Sequence, residues 1–339
     1  VVAVSAGHGH SMALKEDGTI VLWGRNNYGQ ISPPEALLEV IQLVAGREHS
    51  IALQKDGTVM AWGRNDSNQS NVPEGLENVT QIAAAYFHSL ALKGDGTVVA
   101  WGSNKYGEAD VPEGLNGVVA ISAGGFHSMA LKDDGTVVAW GRNIYGQTDV
   151  PPGLSNVTVI VSGTGHNAAL KENGTIVTWG SNDKGQSDPM PGISPANLRG
   201  AELTGANLSG SELTGVDFGN GTVAALSIGD YHTLALKAEG TVRAWGSNVQ
   251  GQCDVPEGLA NVKAVSAGDF HSMALLANGT ILGWGNNEYG QSLSPAGLNN
   301  VIAIDAGHGR TVVLRQGGTV LAWGRNIYGE GSVPAALRD

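Results

Sequence analysis

The dipeptide Trp-Gly recurs along this chain at a fixed interval, and it takes up every tryptophan. The eight tryptophans are Trp23, Trp62, Trp101, Trp140, Trp179, Trp245, Trp284 and Trp323. Successive tryptophans are 39 residues apart, except for one interval of 66. A period of this length indicates a repeat architecture, in which each unit packs on its neighbours. Eight units of 39 residues and one insert of 27, residues 196–222, account for all 339 residues.

The fourth unit, residues 118–156, shows what each unit should form. Its opening segment VVAISAG is rich in β-branched and small residues, as a strand would be. The segments HSMALK and TVVAWG flank Asp-Asp-Gly, and Asp-Gly between two apolar runs is a strong hairpin signal. The remaining residues contain Gly, Asn and Pro and are typical of a return loop. We expect three antiparallel strands in each unit, and a fourth strand remains an alternative.

Repeated meanders of this size favour an all-β fold, the β-propeller, which leaves only short protected edges. No stretch of the chain shows sustained helical periodicity. We predict one propeller of eight blades, with a seven-bladed ring as the alternative. Residues 1–195 should hold units 1–5 and residues 223–339 units 6–8, with the insert at 196–222 between them.

Composition narrows the classes of partner. The net charge of −12 argues against the basic surface that nucleic-acid binding requires. The longest apolar runs, such as VVAISA at 118–123, are far shorter than the roughly 20 residues that cross a bilayer. The single Cys253 excludes an internal disulfide framework. We therefore expect a protein that binds no nucleic acid and has no membrane span.

Histidine is the residue type that most suggests a metal site. Seven of the nine histidines share one place in successive units, and this histidine column consists of His10, His49, His88, His127, His166, His232 and His271, with Arg310 in the eighth unit. Their spread over separate blades opposes convergence on one ion at the roughly 2 Å bond lengths of zinc. We expect each ring to hydrogen-bond turns of its own blade, and we predict no metal site. His8 and His308 become neighbours if the ring closes, which favours a chance surface pair over a weak metal site.

No set of residues favours catalysis. The hairpin turn carries an aspartate in four units, at Asp17, Asp56, Asp95 and Asp134. A catalytic carboxylate pair should instead occur once, where the repeat is broken. Neither a nucleophile-elbow motif nor a phosphate-binding loop is present. We predict no catalytic residue and no cofactor.

The string AGGFHSMALKDDGTVVAWGRNIYGQ resembles the repeat of the regulator of chromosome condensation family, whose known members are β-propellers. The match extends over all eight units. The unit length and the motif WG-x-N-x-x-GQ-x-x-VP are most similar to those of the bacterial branch of this family. That branch includes the type-II β-lactamase inhibitor protein, a secreted propeller that binds an enzyme on one face. The chain starts at Val1 without a Met, so an upstream leader is compatible with it. We expect an extracellular or cell-envelope location.

Two sets of positions vary from unit to unit, and function should reside where the repetition fails. The first set is the two residues before the histidine column, named here the rim pairs: His8-Gly9, Arg47-Glu48, Tyr86-Phe87, Gly125-Phe126, Thr164-Gly165, Asp230-Tyr231, Asp269-Phe270 and His308-Gly309. The second set follows Trp-Gly, where five units carry a tyrosine: Tyr28, Tyr106, Tyr145, Tyr289 and Tyr328. We interpret these tyrosines as part of a packed return loop, and a binding role is the alternative.

The rim pairs mix Phe and Tyr with Asp, Arg and Gly, a combination that packing alone would not select. Tyr, Phe and Arg dominate binding hot spots. The resemblance to the inhibitor protein implies that the aromatic residue just before the histidine column contacts the partner. The predicted partner-binding residues are Arg47, Tyr86, Phe87, Phe126, Asp230, Tyr231, Asp269 and Phe270.

The insert repeats with a period of five residues. Its in-phase apolar residues are Leu198, Leu203, Leu208, Leu213 and Phe218. This pattern resembles the pentapeptide-repeat family, a right-handed β-helix with the central Leu inside. Because so short an insert makes little more than one coil, these side chains should be covered by the adjacent blades or by a partner. A tolerated surface loop is the alternative.

The favoured function is therefore a non-catalytic propeller that presents one face to a protein partner, in the manner of an inhibitor protein. A structural or surface-display module of a larger secreted or cell-envelope protein is the alternative from another class. An enzyme is the least favoured interpretation.

Overall fold

A computed structural model describes residues 1–187 and 223–338. These residues form eight antiparallel sheets of three strands each. Units 1–4 contain β1 Ala3–Ala6, β2 His10–Leu14, β3 Ile20–Gly24, β4 Val40–Ala45, β5 His49–Gln54, β6 Val59–Gly63, β7 Val79–Ala84, β8 His88–Lys93, β9 Val98–Gly102, β10 Val118–Ala123, β11 His127–Lys132 and β12 Val137–Gly141. Units 5–8 contain β13 Val157–Ser162, β14 His166–Lys171, β15 Ile176–Gly180, β16 Val223–Ile228, β17 His232–Lys237, β18 Val242–Gly246, β19 Val262–Ala267, β20 His271–Leu276, β21 Ile281–Gly285, β22 Val301–Gly307, β23 Arg310–Arg315 and β24 Val320–Gly324.

Each sheet is one repeat unit, with its strands side by side in chain order. The second and third strands form the hairpin that Asp-Gly predicts. In the first unit, Asp17 Oδ1 accepts hydrogen bonds from the Thr19 amide at 3.0 Å and the Thr19 hydroxyl at 2.6 Å. Gly18 follows with a φ of 78°, the left-handed conformation that favours glycine. The repeated aspartates thus build turns, as expected from their recurrence.

The apolar core lies between neighbouring blades rather than within one blade. Between units 3 and 4, the side chains of Leu90 and Leu92 pack with Ile121 and Trp140, and all four are buried. Clusters of the same kind lie between units 1 and 2, 2 and 3, 4 and 5, 6 and 7, 7 and 8, and 8 and 1. The leucine and tryptophan columns therefore join blades, as the sequence predicts.

Each interface between two blades is here named a seam, and in six of the eight, among the described residues, a tryptophan Nε1 donates to a backbone carbonyl of the neighbouring unit. Between units 1 and 2, the Gln30 carbonyl accepts from Trp62 Nε1 at 3.0 Å and from Ser50 Oγ at 2.9 Å. Ser50 Oγ also lies 2.9 Å from His10 Nε2. Because the serine proton goes to the carbonyl, His10 must be the donor to Ser50 and must carry its proton on Nε2. One histidine, one serine and one tryptophan thereby fasten two blades.

The hydrogen-bond partner predicted for each ring of the histidine column was wrong. These rings were predicted to bond turns of their own blade, but each Nε2 contacts a serine, threonine or asparagine side chain of the next blade. In unit 4 the partner is Asn167 Oδ1, 2.7 Å from His127 Nε2, and an amide oxygen can only accept. Within the described residues, none of the seven Nδ1 atoms has a hydrogen-bond partner. The column is a component of the seams because a second-strand side chain reaches across to the next sheet.

The seam between units 8 and 1 closes the ring with different residues. Arg310 stands in the histidine column, where its guanidinium donates to Ser11 Oγ at 3.0 Å and to the carbonyls of Gly7 and His10. Asp305 Oδ2 accepts from the Ala6 amide at 2.7 Å. Burial lowers the pKa of Arg310 to about 10 and raises the pKa of Asp305 to about 6. One seam thus uses two buried ionisable groups where the others use neutral ones.

Apolar packing completes the closure. A single 3-10 helix, Ala335–Leu337, follows the last unit in the described residues. Leu337 and Val333 are buried in one cluster with Trp23 and Val312, which lie in units 1 and 8. Strand β1 pairs with β2 of its own unit, so no strand is exchanged across this seam. The prediction of eight blades is confirmed, and the seven-bladed alternative is wrong.

The insert lies outside the residues that the structure describes. Residues 188–222 are not among the described residues, and the predictions for Leu198, Leu203, Leu208, Leu213 and Phe218 fall on them. Units 5 and 6 nevertheless contact each other directly, since His166 Nε2 lies 3.2 Å from Thr233 Oγ1. Among the described residues, no helix is long and apolar enough to cross a membrane.

Candidate functional site

The rim pairs and the segments after Trp-Gly lie on one face of the propeller. Gly141 ends β12 with a φ of 105°, and a Cβ there would lie 2.9 Å from the Phe126 carbonyl oxygen. The next amide, that of Arg142, donates to the same Phe126 carbonyl at 3.0 Å. Glycine is therefore required where the chain turns against its own rim pair. We name the five residues after each Trp-Gly the tip, so that the tip of unit 4 is Arg142–Gly146, and we name the surface of rim pairs and tips the loop face.

A cavity of about 550 Å³ opens on the propeller axis at the centre of the loop face. Its walls come from the ends of the first strands and are built mainly of alanine and glycine. The polar side chains around it are the first members of the rim pairs: His8, Arg47, Tyr86, Thr164, Asp230, Asp269 and His308. Because these side chains come from seven units, the axial arrangement is not a property of any one unit.

Tyr86 bridges this cavity. Its hydroxyl donates to Asp230 Oδ2 at 2.9 Å and lies 2.9 Å from Thr164 Oγ1. Thr164 Oγ1 donates to Asp230 Oδ1 at 2.8 Å. Burial, then the charge of Asp269, raises the pKa of Asp230. Burial, then the charge of Asp230, raises the pKa of Tyr86, so the phenol remains a protonated donor at neutral pH.

A second polar group lies on the other side of the cavity. His308 Nδ1 pairs with Asp269 Oδ2, and the rings of His8 and His308 have their centroids 4.2 Å apart. Burial, with the nearby charges of His308 and Arg47, lowers the pKa of His8 to about 4, so this ring is neutral at pH 7. Among the described residues, no group of three or more His, Cys, Asp or Glu side chains is arranged to hold a metal ion. The histidine pair is a tilted ring contact beside a carboxylate.

The predicted aromatic residues form two groups on the loop face. In units 3 and 4, the ring of Phe126 lies 5.8 Å from Tyr86 and 6.0 Å from Phe87. In units 6 and 7, Tyr231 and Phe270 stack with centroids 5.0 Å apart. Tyr231 is 37% exposed, and the others are half-buried.

The predicted charged residues accompany these two groups. Arg47 lies beside the first, with its guanidinium 5.1 Å from the Tyr86 ring, and forms no ion pair with a described residue. Asp230 and Asp269 lie beside the second group. All eight predicted residues therefore share one surface, with Arg47 beside the first aromatic group and Asp230 linking the two groups through its bond to Tyr86.

The tips hold functional candidates that the sequence interpretation missed. The guanidinium carbon of Arg142 lies close to three ring centroids, at 5.1 Å from Tyr106, 5.5 Å from Phe126 and 5.7 Å from Tyr145. Arg25 and Arg64 occupy the same place in units 1 and 2 and contact tyrosine or phenylalanine rings in the same way. The available signal was that this position alternates between Arg and Ser or Asn, although the Gly before it and the Asn after it never change.

The tyrosines of the tips are also more exposed than a packed loop predicts. Tyr28, Tyr106, Tyr145, Tyr289 and Tyr328 are 36–46% exposed. Their backbone is ordered by the invariant asparagine, as expected: Asn143 Oδ1 accepts from the Thr148 amide at 2.9 Å. The packed-loop interpretation is therefore correct for the backbone and incomplete for the rings, which add to the loop face.

Comparisons with known proteins agree with this architecture. Solved structures similar to this chain include the ectodomain of the receptor kinase CR4 from Physcomitrella patens, at 20% identity and a TM-score of 0.56, covering 88% of this chain and 75% of that one. Prp20p from Saccharomyces cerevisiae matches at 21% identity and a TM-score of 0.52, covering 90% and 80%. The yeast protein in its complex with Kap60 matches at 22% identity and a TM-score of 0.52, covering 90% and 78%. At these identities the similarity shows the fold. No curated protein matches the chain.

Family models match the repeats directly. The model of pentapeptide repeats matches residues 196–220, within the insert. The model of the regulator of chromosome condensation (RCC1) repeat matches residues 1–30, 40–69, 79–108, 118–147, 157–186, 223–252, 262–291 and 301–330. These eight segments cover most of the chain and coincide with the eight blades, so the protein belongs to the RCC1-repeat family.

Proposed function

We propose that this propeller is a non-catalytic binding protein whose loop face contacts a protein partner. One observation carries the proposal: two groups of half-buried aromatic rings, the first of them surrounded by arginines, lie on the same face of the propeller. Exposed aromatic and arginine side chains of this kind are depleted on ordinary surfaces and dominate the energetics of interfaces.

The positions of the two aromatic groups support this interpretation. Phe87 and Phe126 contact each other and the arginines around them, while Tyr231 and Phe270 stack separately. Both groups pair rings of adjacent units, at seams that the leucine, tryptophan and histidine columns already join. Rings that the scaffold does not require are available for recognition.

Similar proteins give independent support for protein binding. Prp20p is described with binding properties to Gsp1p and histones, and yeast RCC1 (Prp20) is described bound to Kap60. Proteins that share this fold therefore bind other proteins. The partner of this chain is a different question, because its rim pairs set the specificity.

Capture experiments test the proposal. The purified protein is immobilised and used to capture partners from its native host, in parallel with variants Phe87→Ala, Phe126→Ala, Tyr231→Ala and Phe270→Ala. Each substitution at a hot spot should lower affinity by about 2 kcal/mol or more while the variant stays folded. The matched control is Leu38→Ala, which changes a 72% exposed side chain in the return loop beside the hairpin turns, at the other end of the blades. Equal capture by all variants would overturn the assignment of the loop face.

Two finer predictions accompany this proposal. Inhibition of an enzyme is one form of it, supported by the resemblance to the inhibitor protein, and it predicts that a captured enzyme loses activity on binding. An extracellular or envelope location stays a prediction, which fractionation of the native host checks.

A further inference from the structure

The tips of units 4 and 8 are identical and lie opposite each other. Arg142–Gly146 and Arg325–Gly329 both read RNIYG. Four places separate these units in either direction around a closed ring of eight, so they mark the two ends of one diameter. Ile144 and Ile327 are each 61% exposed, and no other unit carries isoleucine at this place. The loop face therefore has two equal isoleucine projections at opposite points of its rim, and Val249, 68% exposed, is a third apolar side chain at this place, in unit 6.

The charges of the loop face are divided by the same diameter. On one side, units 1–3 carry Arg25, Arg47, Arg64 and Lys105, against Glu48 and Asp66. On the other side, units 5–7 carry Asp183, Asp230, Asp269 and Glu288, against Lys184. Within the first side, Glu48 binds Arg25 at 2.8 Å and Arg64 at 2.5 Å, and Asp66 binds Arg64 at 2.7 Å, which leaves Arg47 and Lys105 as the cations without an ion pair among the described residues. One half of the face is thus cationic and the other acidic.

A rotation about this diameter brings opposite charges together. A two-fold axis in the plane of the face, through units 4 and 8, places unit 2 of one copy on unit 6 of the other. It likewise pairs unit 1 with unit 7 and unit 3 with unit 5, while units 4 and 8 meet their own copies. Such an interface is isologous, so each contact away from the axis occurs twice.

We propose that the loop face binds a second copy of this chain, face to face, about the two-fold axis through units 4 and 8. This names the partner in the function proposed above and rests on that function. Ile144 meets Ile144 and Ile327 meets Ile327, while unit 2 with Arg47 opposes unit 6 and Lys105 opposes Asp183. Apolar contacts near the axis and complementary charges on both sides are the arrangement that fixes register at an interface.

The neighbouring registers are disfavoured by like charges. Moving the axis by half a blade in one direction opposes unit 1 and unit 8, and brings Arg25 onto Arg325. Moving it by half a blade in the other direction opposes unit 3 and unit 4, and brings Lys105 onto Arg142. The register through units 4 and 8 avoids both of these pairings.

Single cysteines test this register directly. In a Cys253→Ser background, Ile144→Cys alone should give a disulfide-linked dimer under mild oxidation, because the residue meets its own copy. Asn27→Cys alone should link poorly, whereas a mixture of Asn27→Cys and Glu288→Cys should link, because unit 1 faces unit 7. Leu38→Cys, at the other end of the blades, is the control for random collision. The proposal is overturned if Ile144→Cys links no faster than Leu38→Cys.

Sedimentation of the whole protein over a concentration series provides the second test. We expect a monomer–dimer equilibrium that Arg47→Glu weakens about tenfold or more, since it replaces a cation by a carboxylate that faces the acidic half of the other copy in two places. Lys55→Glu, a charge-matched change in the hairpin turn at the other end of the blades, should leave it unchanged. A monomer at every concentration overturns the dimer, and so does a dimer insensitive to Arg47→Glu. The function proposed above is judged separately, because a monomer that captures a host protein through Phe87 and Tyr231 satisfies it.

Discussion

The histidine column and the rim pairs occupy the same turn of every blade, yet they differ in almost every respect. His88 is fully buried and bonds Ser128 of the next blade at 3.0 Å, whereas Phe87, the residue before it, is half-buried on the loop face. The histidine column repeats in seven units, and the rim pairs differ in nearly all of them. The difference teaches that the seams fix the backbone so firmly that the adjacent residues can vary. Each prediction below tests that separation.

The largest effect should come from acid, which acts on the histidine column as a set. Burial lowers the pKa of these histidines to about 3 or 4, against 6.5 for an unfolded chain. Below pH 6.5 the unfolded state therefore binds protons that the folded state does not. The contribution of these neutral histidines to the free energy of unfolding is fully present above pH 6.5. It is lost as the pH falls towards the pKa of the folded state.

The size of this effect is set by the number of rings. Each histidine contributes about 1.4 kcal/mol per pH unit within that window, so seven of them exceed a typical domain stability within about two units. Denaturant melts at several pH values should show a steep loss of the free energy of unfolding below pH 6. His88→Asn should lower the proton uptake on unfolding by one. A stability that stays level down to pH 4 would contradict this account.

The next largest effect should follow from the seam between units 8 and 1. Arg310→Ala removes the guanidinium that bonds Gly7, His10 and Ser11, and leaves Asp305 buried without its neighbouring cation. We expect the free energy of unfolding to fall by about 3–5 kcal/mol, as when one partner of a buried ionic contact is lost. Thermal or denaturant unfolding measures it. Ser128→Ala, in an ordinary seam, should cost about 1–3 kcal/mol, and the account fails if the two variants are equal.

A smaller effect is expected for the bridge over the axial cavity. Tyr86→Phe removes the hydroxyl contacts with Asp230 and Thr164 but keeps the ring. The expected loss is about 1 kcal/mol of unfolding free energy, because Thr164 still donates to the carboxylate. If Tyr86→Phe lowers the free energy of unfolding as much as Arg310→Ala does, the rim pairs belong to the scaffold.

The smallest effect should be at the exposed rim. Tyr231→Ala removes a ring that is 37% exposed and stacks only on Phe270 among its aromatic neighbours in the described residues. We expect a change in unfolding free energy of about 1 kcal/mol or less, since changes at exposed positions rarely cost more. Melts of Tyr231→Ala beside wild type decide this, and a loss of several kcal/mol would remove the distinction between rim and seam.

The sequence predicts the blades well because each blade is local. The hairpin at Asp17 and the return loop at Asn143 both follow from residues close together in the chain. Contacts between blades were harder to predict, since a period of 39 aligns equivalent residues without saying which column meets which across a seam. His10 was therefore assigned to its own blade, although its partner Ser50 lies 40 residues away.

The site shows the same limit more strongly. Variation among the rim pairs located the loop face, but the contact of Tyr86 with Asp230 spans 144 residues and carries no local signal. The stacking of Arg142 on Tyr106 joins the tips of two units and was missed for the same reason. What is missing from the sequence is the geometry around the ring, which brings distant units together.

The closing seam also bears on how the chain acquires its structure. Seven seams join neighbouring units along the chain, whereas the contact from Asp305 to Ala6 spans 299 residues and needs the last unit. During synthesis the first blade must therefore wait with its apolar side uncovered, a state in which unpaired sheets are prone to aggregate. We expect Arg310 and Asp305 to be hydrated and charged on the last blade until closure, which discourages its edge from joining another chain. Arg310 and Asp305 in this one seam thus protect the incomplete ring from aggregation as well as stabilising the closed ring.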